Sequence, residues 1–156
     1  MNKIIKRPDW DHYFMEIAHI VKSRSNCCTR QVGAIIVKDK RITATGYNGT
    51  PMGIKNCCDG GCERCLKRKN GQIKSGEDTD KCICLHAEQN AILQSAFHGI
   101  STKGSVMYTT DSPCGQCAKM IANSGITKII AENEYPDKIG ADVLKQAGIG
   151  LVYLKR

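Results

Sequence analysis

Apolar residues at the start of the chain recur every three to four positions, on one face of a helix: Trp10, Phe14, Ile17 and Val21. This spacing predicts a first helix over residues 8–24, with Pro8 in the first turn, a position that suits proline. Two β-rich segments follow, at residues 31–38 and 41–47, on either side of the charged turn Asp39-Lys40. They predict two consecutive strands joined by a short turn.

From residue 85 onward, helical and strand patterns alternate. Three helical patterns each end close to a glycine: 87–97, 114–124 and 139–147. Three β-rich runs lie between and after them: 105–110, 128–132 and 149–154. The predicted order is therefore α-β-β-α-β-α-β-α-β. Because strands that alternate with helices need crossover connections, the sequence predicts an α/β fold with three layers.

Residues 48–84 follow neither period. They are rich in glycine and charged residues, and they contain six of the ten cysteines. A segment of this length without regular structure is usually functional or is held in place by something other than a core. We expect an irregular, cysteine-rich insertion within a single domain that spans residues 1–156.

The composition narrows the class of protein. With 156 residues and 41% hydrophobic residues, the chain can bury one sizeable core. Its apolar runs are far shorter than a membrane span, and its N-terminal residues lack the pattern of a secretory signal. We expect neither a membrane protein nor an exported one, and predict a cytoplasmic location. The 23 basic and 15 acidic residues give a formal charge of +8, which admits an anionic partner without selecting one.

The ten cysteines are numerous for a chain of this class, and they fall in pairs: Cys27–Cys28, Cys57–Cys58, Cys62–Cys65, Cys82–Cys84 and Cys114–Cys117. In a reducing compartment disulfides are rare, and clustered thiols more often bind metal. The pairing therefore favours metal sites over ten inert, buried thiols.

Two short motifs carry the chemistry. His86-Ala87-Glu88 begins one predicted helix, and Pro113-Cys114-Gly115-Gln116-Cys117 begins the next. Together they match the known signature of zinc-dependent nucleobase deaminases. One nitrogen and two thiolates leave the fourth position of a tetrahedral zinc open for water, as a catalytic zinc requires. Cys114 and Cys117 lie three residues apart in a first helical turn, so both sulfurs point the same way, and Glu88 can transfer protons without ligating the ion.

An alternative is a closed structural zinc, held by the same three residues and a fourth cysteine. That arrangement would leave Glu88 without a role.

Four segments in this order closely resemble the deoxycytidylate (dCMP) deaminase family: RQVGAIIV, ATGYNGTP, HAEQNAI and SPCGQCAKMI. The resemblance extends from about residue 10 to residue 152. It implies the cytidine-deaminase-like fold, a five-stranded mixed sheet with helices on both faces. It also implies the hydrolysis of dCMP to dUMP and ammonia, which supplies the precursor of thymidylate.

The resemblance assigns roles to individual residues. His86, Cys114 and Cys117 correspond to the ligands of the catalytic zinc, and Glu88 to the proton shuttle. Asn48 corresponds to an asparagine that binds the sugar, and Tyr135 to a tyrosine that contacts the substrate. Arg24 is a candidate partner for the phosphate, although a lone arginine at a helix end is commonly just solvated.

The resemblance also implies a second, structural zinc in family members with a long insertion. Its ligands would be Cys27, Cys57 and either Cys84 or Cys82. This sequence supplies both of the last two, and Cys62 and Cys65 in addition. Six thiols exceed the four positions of one zinc ion, so two are left over or a second ion binds. Cys28 and Cys58 are expected to be packing residues.

Regulation and assembly follow from the resemblance alone. It implies a homo-oligomer, a hexamer in the family, activated by dCTP and inhibited by dTTP at the GYNG loop. Mg²⁺ would accompany such a triphosphate effector.

Two other functions remain open at this stage. The +8 charge admits a tRNA or other polynucleotide base deaminase, but the chain shows no terminal basic helix and no aromatic stacking platform. A nonenzymatic, zinc-dependent nucleic-acid-binding module would explain the insertion and its basic residues but not Glu88. Nucleic acid is therefore the less favoured partner, and a small deoxynucleotide the favoured one.

Overall fold

The computed structural model describes residues 7–155. Residues 1–6 and Arg156 lie outside that range. Residues 1–6 belong to the segment in which no secretory signal is expected. The structure has five helices: α1 (Trp10–Lys22), α2 (Glu63–Lys69), α3 (Ala87–Phe97), α4 (Gly115–Ser124) and α5 (Lys138–Gln146). It has five strands: β1 (Gly33–Lys38), β2 (Arg41–Tyr47), β3 (Val106–Asp111), β4 (Lys128–Asn133) and β5 (Gly150–Tyr153). None of the helices described is long and apolar enough to span a membrane.

The strands form one mixed sheet in the order β2-β1-β3-β4-β5. β1 pairs antiparallel with both β2 and β3, whereas β3, β4 and β5 run parallel. The parallel half is the part in which strands and helices alternate along the chain. The predicted five-stranded mixed sheet is confirmed.

Helices cover both faces of the sheet, as the alternation of side chains along each strand requires. Ile35 of β1 packs with Phe14, Met15 and other residues of α1 on one face. Its neighbour Ile36 faces the other way, into the core formed with α3, α4 and α5. Met107 and Tyr108 of β3 divide between the same two cores. The prediction of three layers is confirmed.

The predicted boundaries differ from the observed ones by one or two residues. The first helix begins at Trp10 rather than Pro8, because the Asp9 carboxylate caps it by accepting a hydrogen bond from the backbone N–H of His12 at 2.9 Å. The charged turn between β1 and β2 is confirmed, and Asp39 and Lys40 adopt φ angles of 50° and 57°. Two consecutive left-handed residues are what a two-residue hairpin turn requires.

The insertion is less irregular than predicted, because it contains the two-turn helix α2. Its sequence ERCLKRK is made of good helix formers, and the Glu63 carboxylate pairs with the Lys67 ammonium at 2.7 Å, one turn away. A segment of seven residues is too short for a clear helical period. The two ends of the insertion meet where Gly49 and Leu85 exchange backbone hydrogen bonds of 3.1 and 2.8 Å. The chain thus returns to the sheet directly before His86.

Candidate active site and metal centres

His86, Cys114 and Cys117 lie together in the structure. The Nδ1 atom of His86 is 3.4 Å from the sulfur of Cys114 and 3.3 Å from the sulfur of Cys117. A tetrahedral zinc, with its usual bond lengths, separates nitrogen and sulfur ligands by about 3.5 Å. The donor set and its spacing therefore fit a zinc ion with three protein ligands.

Two helix N-termini supply these ligands. His86 is the N-cap residue of α3, and Cys114 is that of α4, which follows β3 after a short connection. Gly46 of β2 lets α3 lie close to the sheet, because an added Cβ would overlap the carbonyl oxygen of Ala87. The Gln89 side chain accepts a 2.8 Å hydrogen bond from the His86 backbone N–H and so fixes the start of α3.

Asp137 connects α4 to α5. One carboxylate oxygen accepts a hydrogen bond from the backbone N–H of Gly115 at 2.6 Å, and the other accepts one from Ile139 at 2.9 Å. One side chain therefore satisfies exposed N–H groups of two helices. The sequence prediction began α5 at Ile139 and missed this cap, although an aspartate before a helical pattern is the usual signal.

The two cysteines of this group differ in their acidity. The neighbouring Cys117 thiol, followed by the His86 ring, lowers the pKa of Cys114 to about 4. The same Cys114–Cys117 contact raises the pKa of Cys117 above its usual range. A cysteine that ionises this easily is suited to bind a cation.

Glu88 lies beside this group without belonging to it. Its side chain is 4% exposed, and burial raises its pKa to about 7. A carboxyl group with a pKa near neutrality can both accept and donate a proton at physiological pH. Its position one residue into α3 follows from the HAE spacing.

A cavity of about 380 Å³ opens in front of the group. Its wall includes His86, Glu88 and Cys114 on one side, and Asn48 and Tyr135 further along. These five predicted site residues therefore share one cavity. Its volume lies within the range typical of small-molecule sites.

Asn48 is held rigidly at the cavity wall. Its side-chain oxygen accepts hydrogen bonds from the Ser25 hydroxyl at 2.7 Å and from the Val32 backbone N–H at 2.8 Å. Its amide nitrogen donates one to the Arg30 carbonyl at 2.7 Å. The amide keeps a second N–H with which it could meet a bound molecule.

Arg30 is a cavity residue that the sequence analysis did not single out. Its guanidinium carbon lies 4.5 Å from the centre of the Tyr135 ring, and one of its nitrogens lies 3.1 Å from the Asp111 carboxylate. The residue falls within the RQVGAIIV segment, but no local pattern distinguishes it from a solvated arginine. Its ion pair with Asp111, at the end of β3, holds it at the cavity.

Arg24, the predicted partner of the phosphate, is not among the described residues that line this cavity. It follows the C-cap of α1 and is exposed. The cavity instead contains Arg30 and two arginines of the insertion, Arg64 and Arg68.

The remaining thiols form a second centre around the insertion. Among the described residues, two sets of four cysteines have all their sulfurs within 4.8 Å of one another: Cys27, Cys57, Cys65 and Cys84, and Cys62, Cys65, Cys82 and Cys84. All six predicted cysteines are therefore present, and two of them occur in both sets.

Two of these thiols ionise easily. The Cys84 thiol lowers the pKa of Cys27 to about 4 and that of Cys82 to about 5. Burial raises the pKa of Cys57 to about 11. Unpaired thiols gathered in this way are suited to a thiophilic metal ion.

The two cysteines outside these sets behave differently from one another. Cys28 packs against the second centre, as expected, and its backbone N–H donates to the Cys57 sulfur at 3.5 Å. Cys58 is exposed, so its predicted packing role is wrong. It lies in the 3-10 turn Cys57–Asp59, which buries the first side chain and directs the next one to solvent.

Comparisons with known proteins agree with this geometry. The profile described as "Cytidine and deoxycytidylate deaminase zinc-binding region" matches residues 8–133. The deoxycytidylate deaminase of Mycobacterium phage D29 is 38% identical over 134 residues, which cover 83% of this chain and 99% of that protein. The deoxycytidylate deaminase of Schizosaccharomyces pombe is 41% identical over 146 residues, 93% of this chain and 44% of that protein. The chain thus spans about half the length of the yeast relatives that it matches.

Solved structures show the same relationship. The crystal structure of the dCMP deaminase from cyanophage S-TIM5, in complex with dCMP and dUMP, matches with a TM-score of 0.75 and 37% identity, over 97% of this chain and 99% of that one. A tRNA:A34 deaminase matches at 22% identity and a TM-score of 0.51, which indicates a shared fold alone. The matched profile, the similarity to these relatives and the geometry of the His86, Cys114 and Cys117 group agree. This chain therefore belongs to the family of zinc-binding cytidine and deoxycytidylate deaminases.

Proposed function

We propose that this protein hydrolyses dCMP to dUMP and ammonia. The observation that carries the proposal is the buried Glu88 beside the His86, Cys114 and Cys117 group, at the wall of a cavity of nucleotide size. A closed structural zinc site has no use for a buried carboxyl group, and burying one without a function is costly.

The residues divide the chemistry between them. His86, Cys114 and Cys117 would hold the zinc ion, which activates water for attack on C4 of cytosine when it is bound. Glu88 takes the proton that the water loses and delivers it to the base. Glu88 then transfers the remaining proton of the added hydroxyl to the amino group, which leaves as ammonia as the C4–N bond breaks. Because Glu88 is almost completely buried, few solvent molecules compete for its proton.

The cavity charge supports a phosphorylated substrate. Arg30, Arg64 and Arg68 all line the cavity. A 5′-phosphate would give these cations a charge-assisted partner, which neither free cytosine nor deoxycytidine can provide. The relatives named as deoxycytidylate deaminases, and the S-TIM5 enzyme with dCMP and dUMP bound, favour the same substrate.

The second thiol centre supports at least one structural zinc. The insertion is polar, and its buried side chains are mainly cysteines. Thiolate coordination would therefore supply the stability that a hydrophobic core supplies elsewhere. All ten cysteines are unpaired, which suits a reducing compartment and so the predicted cytoplasmic location.

The cavity favours a mononucleotide over a polymer. Insertion residues Ser75, Gly76 and Thr79 form part of its wall, and Tyr135 is its one aromatic side chain among the residues described. Recognition of single strands usually depends on several stacking aromatics. The nonenzymatic binding module leaves the buried Glu88 unexplained.

The proposal is tested by steady-state deamination of dCMP, deoxycytidine and a cytosine-containing oligonucleotide by the full chain. We expect kcat/KM for dCMP to exceed that for deoxycytidine by a factor on the order of 100 or more, because the phosphate contacts are lost. The oligonucleotide should show no turnover. A deoxycytidine value within tenfold of the dCMP value, or preferential turnover of the oligonucleotide, would contradict the monophosphate assignment.

Assembly and regulation stay predictions. The chain is predicted to form a homo-oligomer, which the resemblance implies is a hexamer. The resemblance also predicts control by dCTP and dTTP, accompanied by Mg²⁺, at the GYNG loop. Within that loop Asn48 faces the substrate cavity, while Tyr47 is half-exposed and available to another molecule.

A further inference from the structure

Six thiols of the second centre meet at distances typical of metal coordination. The Cys65 sulfur lies 4.0 Å from that of Cys27 and 3.7 Å from that of Cys82, and the sulfurs of Cys62 and Cys82 are 4.0 Å apart. Four sulfurs around a tetrahedral zinc, with Zn–S bonds of about 2.3 Å, are separated by about 3.8 Å. A disulfide would require a sulfur–sulfur distance of about 2.0 Å. The observed spacing fits thiols that share a metal ion, and the Cys28 sulfur, 3.7 Å from that of Cys57, adjoins the same group.

These six thiols form two tetrahedral sets that share an edge. One set contains Cys27 and Cys57, the other contains Cys62 and Cys82, and both contain Cys65 and Cys84. Two separate four-cysteine sites would require eight thiols. Two sites that share two ligands require the six that this centre offers.

We propose that the second centre is a binuclear zinc cluster in which the thiolates of Cys65 and Cys84 bridge the two ions. Cys27 and Cys57 complete the first ion, and Cys62 and Cys82 complete the second. Each ion then has four sulfur ligands and no open position, so the cluster is structural.

Net charge permits two ions as readily as one. A single Zn²⁺ with four thiolates carries a net charge of about −2 and leaves two thiols unused beside it. Two Zn²⁺ ions with six thiolates also carry a net charge of about −2. The second ion therefore turns the two remaining thiols into ligands without adding net charge to a buried site. Cys57, Cys62 and Cys65 are each only 1% exposed, so added charge would be poorly solvated.

Hydrogen bonds around the cluster suit thiolate ligands. The Cys28 backbone N–H points at the Cys57 sulfur from 3.5 Å. The Thr29 hydroxyl lies 3.4 Å from the Cys27 sulfur. Donors of this kind orient metal ligands and stabilise their negative charge. The Thr29 hydroxyl also donates to the Cys65 sulfur at 3.9 Å, so such contacts reach both a terminal and a bridging ligand.

The bridging positions also explain how the cluster supports the active site. Cys65 lies in α2, and Cys84 lies two residues before His86. A bridge through both ties the insertion helix to the segment that presents the first ligand of the catalytic group. The proposal concerns this metal centre alone and does not rest on the substrate assignment.

The first test is the metal content of the full chain, purified under reducing conditions and measured by intact-protein mass spectrometry with elemental analysis. We expect about three zinc ions per chain, one at the catalytic group and two in the cluster. X-ray absorption at the zinc edge should show a metal–metal distance on the order of 3 Å, the separation of two tetrahedral centres that share an edge. Two ions per chain and no metal–metal scattering would overturn the proposal.

Paired variants distinguish the cluster from either single-ion site. Cys57→Ser and Cys62→Ser each remove a terminal ligand of a different ion, so we expect each to lower the zinc content by about one ion per chain. If only one ion binds, one of these two variants leaves the zinc content unchanged, which would contradict the proposal. Cys58→Ser is the matched control, because this exposed cysteine belongs to neither set and its loss should change nothing.

Substitution with cadmium-113 tests the bridges without any variant that could misfold. Two cadmium ions joined by the Cys65 and Cys84 thiolates should give two resonances that are split by coupling to each other, with a third, uncoupled resonance from the catalytic group. Two unsplit cluster resonances, or a single one, would overturn the bridged arrangement.

Discussion

Glu88 shows how a single residue acquires its role from its surroundings. Its neighbours in the helix are ordinary, yet it is almost completely buried and lies next to the His86, Cys114 and Cys117 group. The amide of Glu88→Gln keeps the size of the side chain but cannot transfer a proton. We expect this variant to retain zinc and fold while kcat for dCMP falls by a factor on the order of 1,000 or more.

The matched control for this variant is Glu16→Gln on α1, which is exposed on the opposite face of the sheet. It should retain the parent activity. Zinc content by elemental analysis and secondary structure by circular dichroism should be equal in both variants. Substantial activity in Glu88→Gln at normal zinc content would remove Glu88 from the mechanism.

Arg68 is the cavity arginine best placed to meet a phosphate. Arg30 is paired with Asp111, and the Arg64 guanidinium donates to the Glu77 carbonyl at 2.8 and 3.0 Å. Within residues 7–155 the Arg68 side chain has no hydrogen bond or ion pair to the protein, and it faces the cavity. We expect Arg68→Ala to raise KM for dCMP by roughly 10- to 100-fold, the effect of one lost charge-assisted hydrogen bond.

Deoxycytidine turnover by Arg68→Ala should stay unchanged, because that substrate has no phosphate. The control is Arg24→Ala, which removes an equal charge outside the cavity and should leave KM for dCMP within about twofold. The opposite result, with Arg24→Ala impaired and Arg68→Ala normal, would restore Arg24 as the phosphate partner.

At the scale of elements, the active site depends on how two helices begin. Asp137 accepts hydrogen bonds from both α4 and α5, and Gly140 lets the first turn of α5 lie against the Pro113 carbonyl. We expect Asp137→Ala to lower the free energy of unfolding by about 1–2 kcal/mol, the usual effect of a lost helix cap. Since α4 begins at the zinc-binding cysteines, the variant should also lose zinc to a chelator faster than the parent protein does.

Asp9→Ala is the matched control, since Asp9 caps α1 on the opposite face of the sheet. It should destabilise the protein to denaturant while leaving the rate of zinc loss unchanged. Urea unfolding and a colorimetric chelator assay separate the two effects. Equal rates of zinc loss in both variants would show that Asp137 acts on stability only.

On the scale of the whole molecule, the sheet and the insertion are stabilised differently. The sheet has hydrophobic cores on both faces, whereas the buried part of the insertion is a group of cysteines. Removal of zinc under reducing, non-denaturing conditions should therefore release the insertion and leave the sheet folded. We expect trypsin to cut the zinc-free protein first at basic residues between 64 and 81, while the zinc-loaded protein resists.

The measurement is mass spectrometry of limited digests, with the fragments assigned to the sequence. Re-addition of zinc before digestion is the control, and it should restore resistance. Equal cleavage of the insertion with and without zinc would show that metal does not hold it in place.

The order of the elements and the candidate catalytic group could both be predicted from the sequence. Apolar residues at period 3.6 or 2 reflect which side of an element is buried, so α1, α3 and the strands could be predicted within one or two residues. His86, Glu88, Cys114 and Cys117 could also be identified, because each motif lies within one helical turn. Spacing along the chain fixes the geometry within each motif, whereas the approach of His86 to Cys114 and Cys117 depends on how α3 and α4 pack.

The tertiary structure alone decided what depends on contacts between distant segments. Arg30 and Arg68 line the cavity and Arg24 does not. No local sequence pattern distinguishes these three arginines, because all of them lie in polar surroundings. Cys65 and Cys84 come to lie in both thiol sets because segments 19 residues apart fold against each other. A sequence specifies which thiols are available, but distances between sulfurs on separate loops depend on how those loops pack. For that reason the sharing of ligands became visible only in three dimensions.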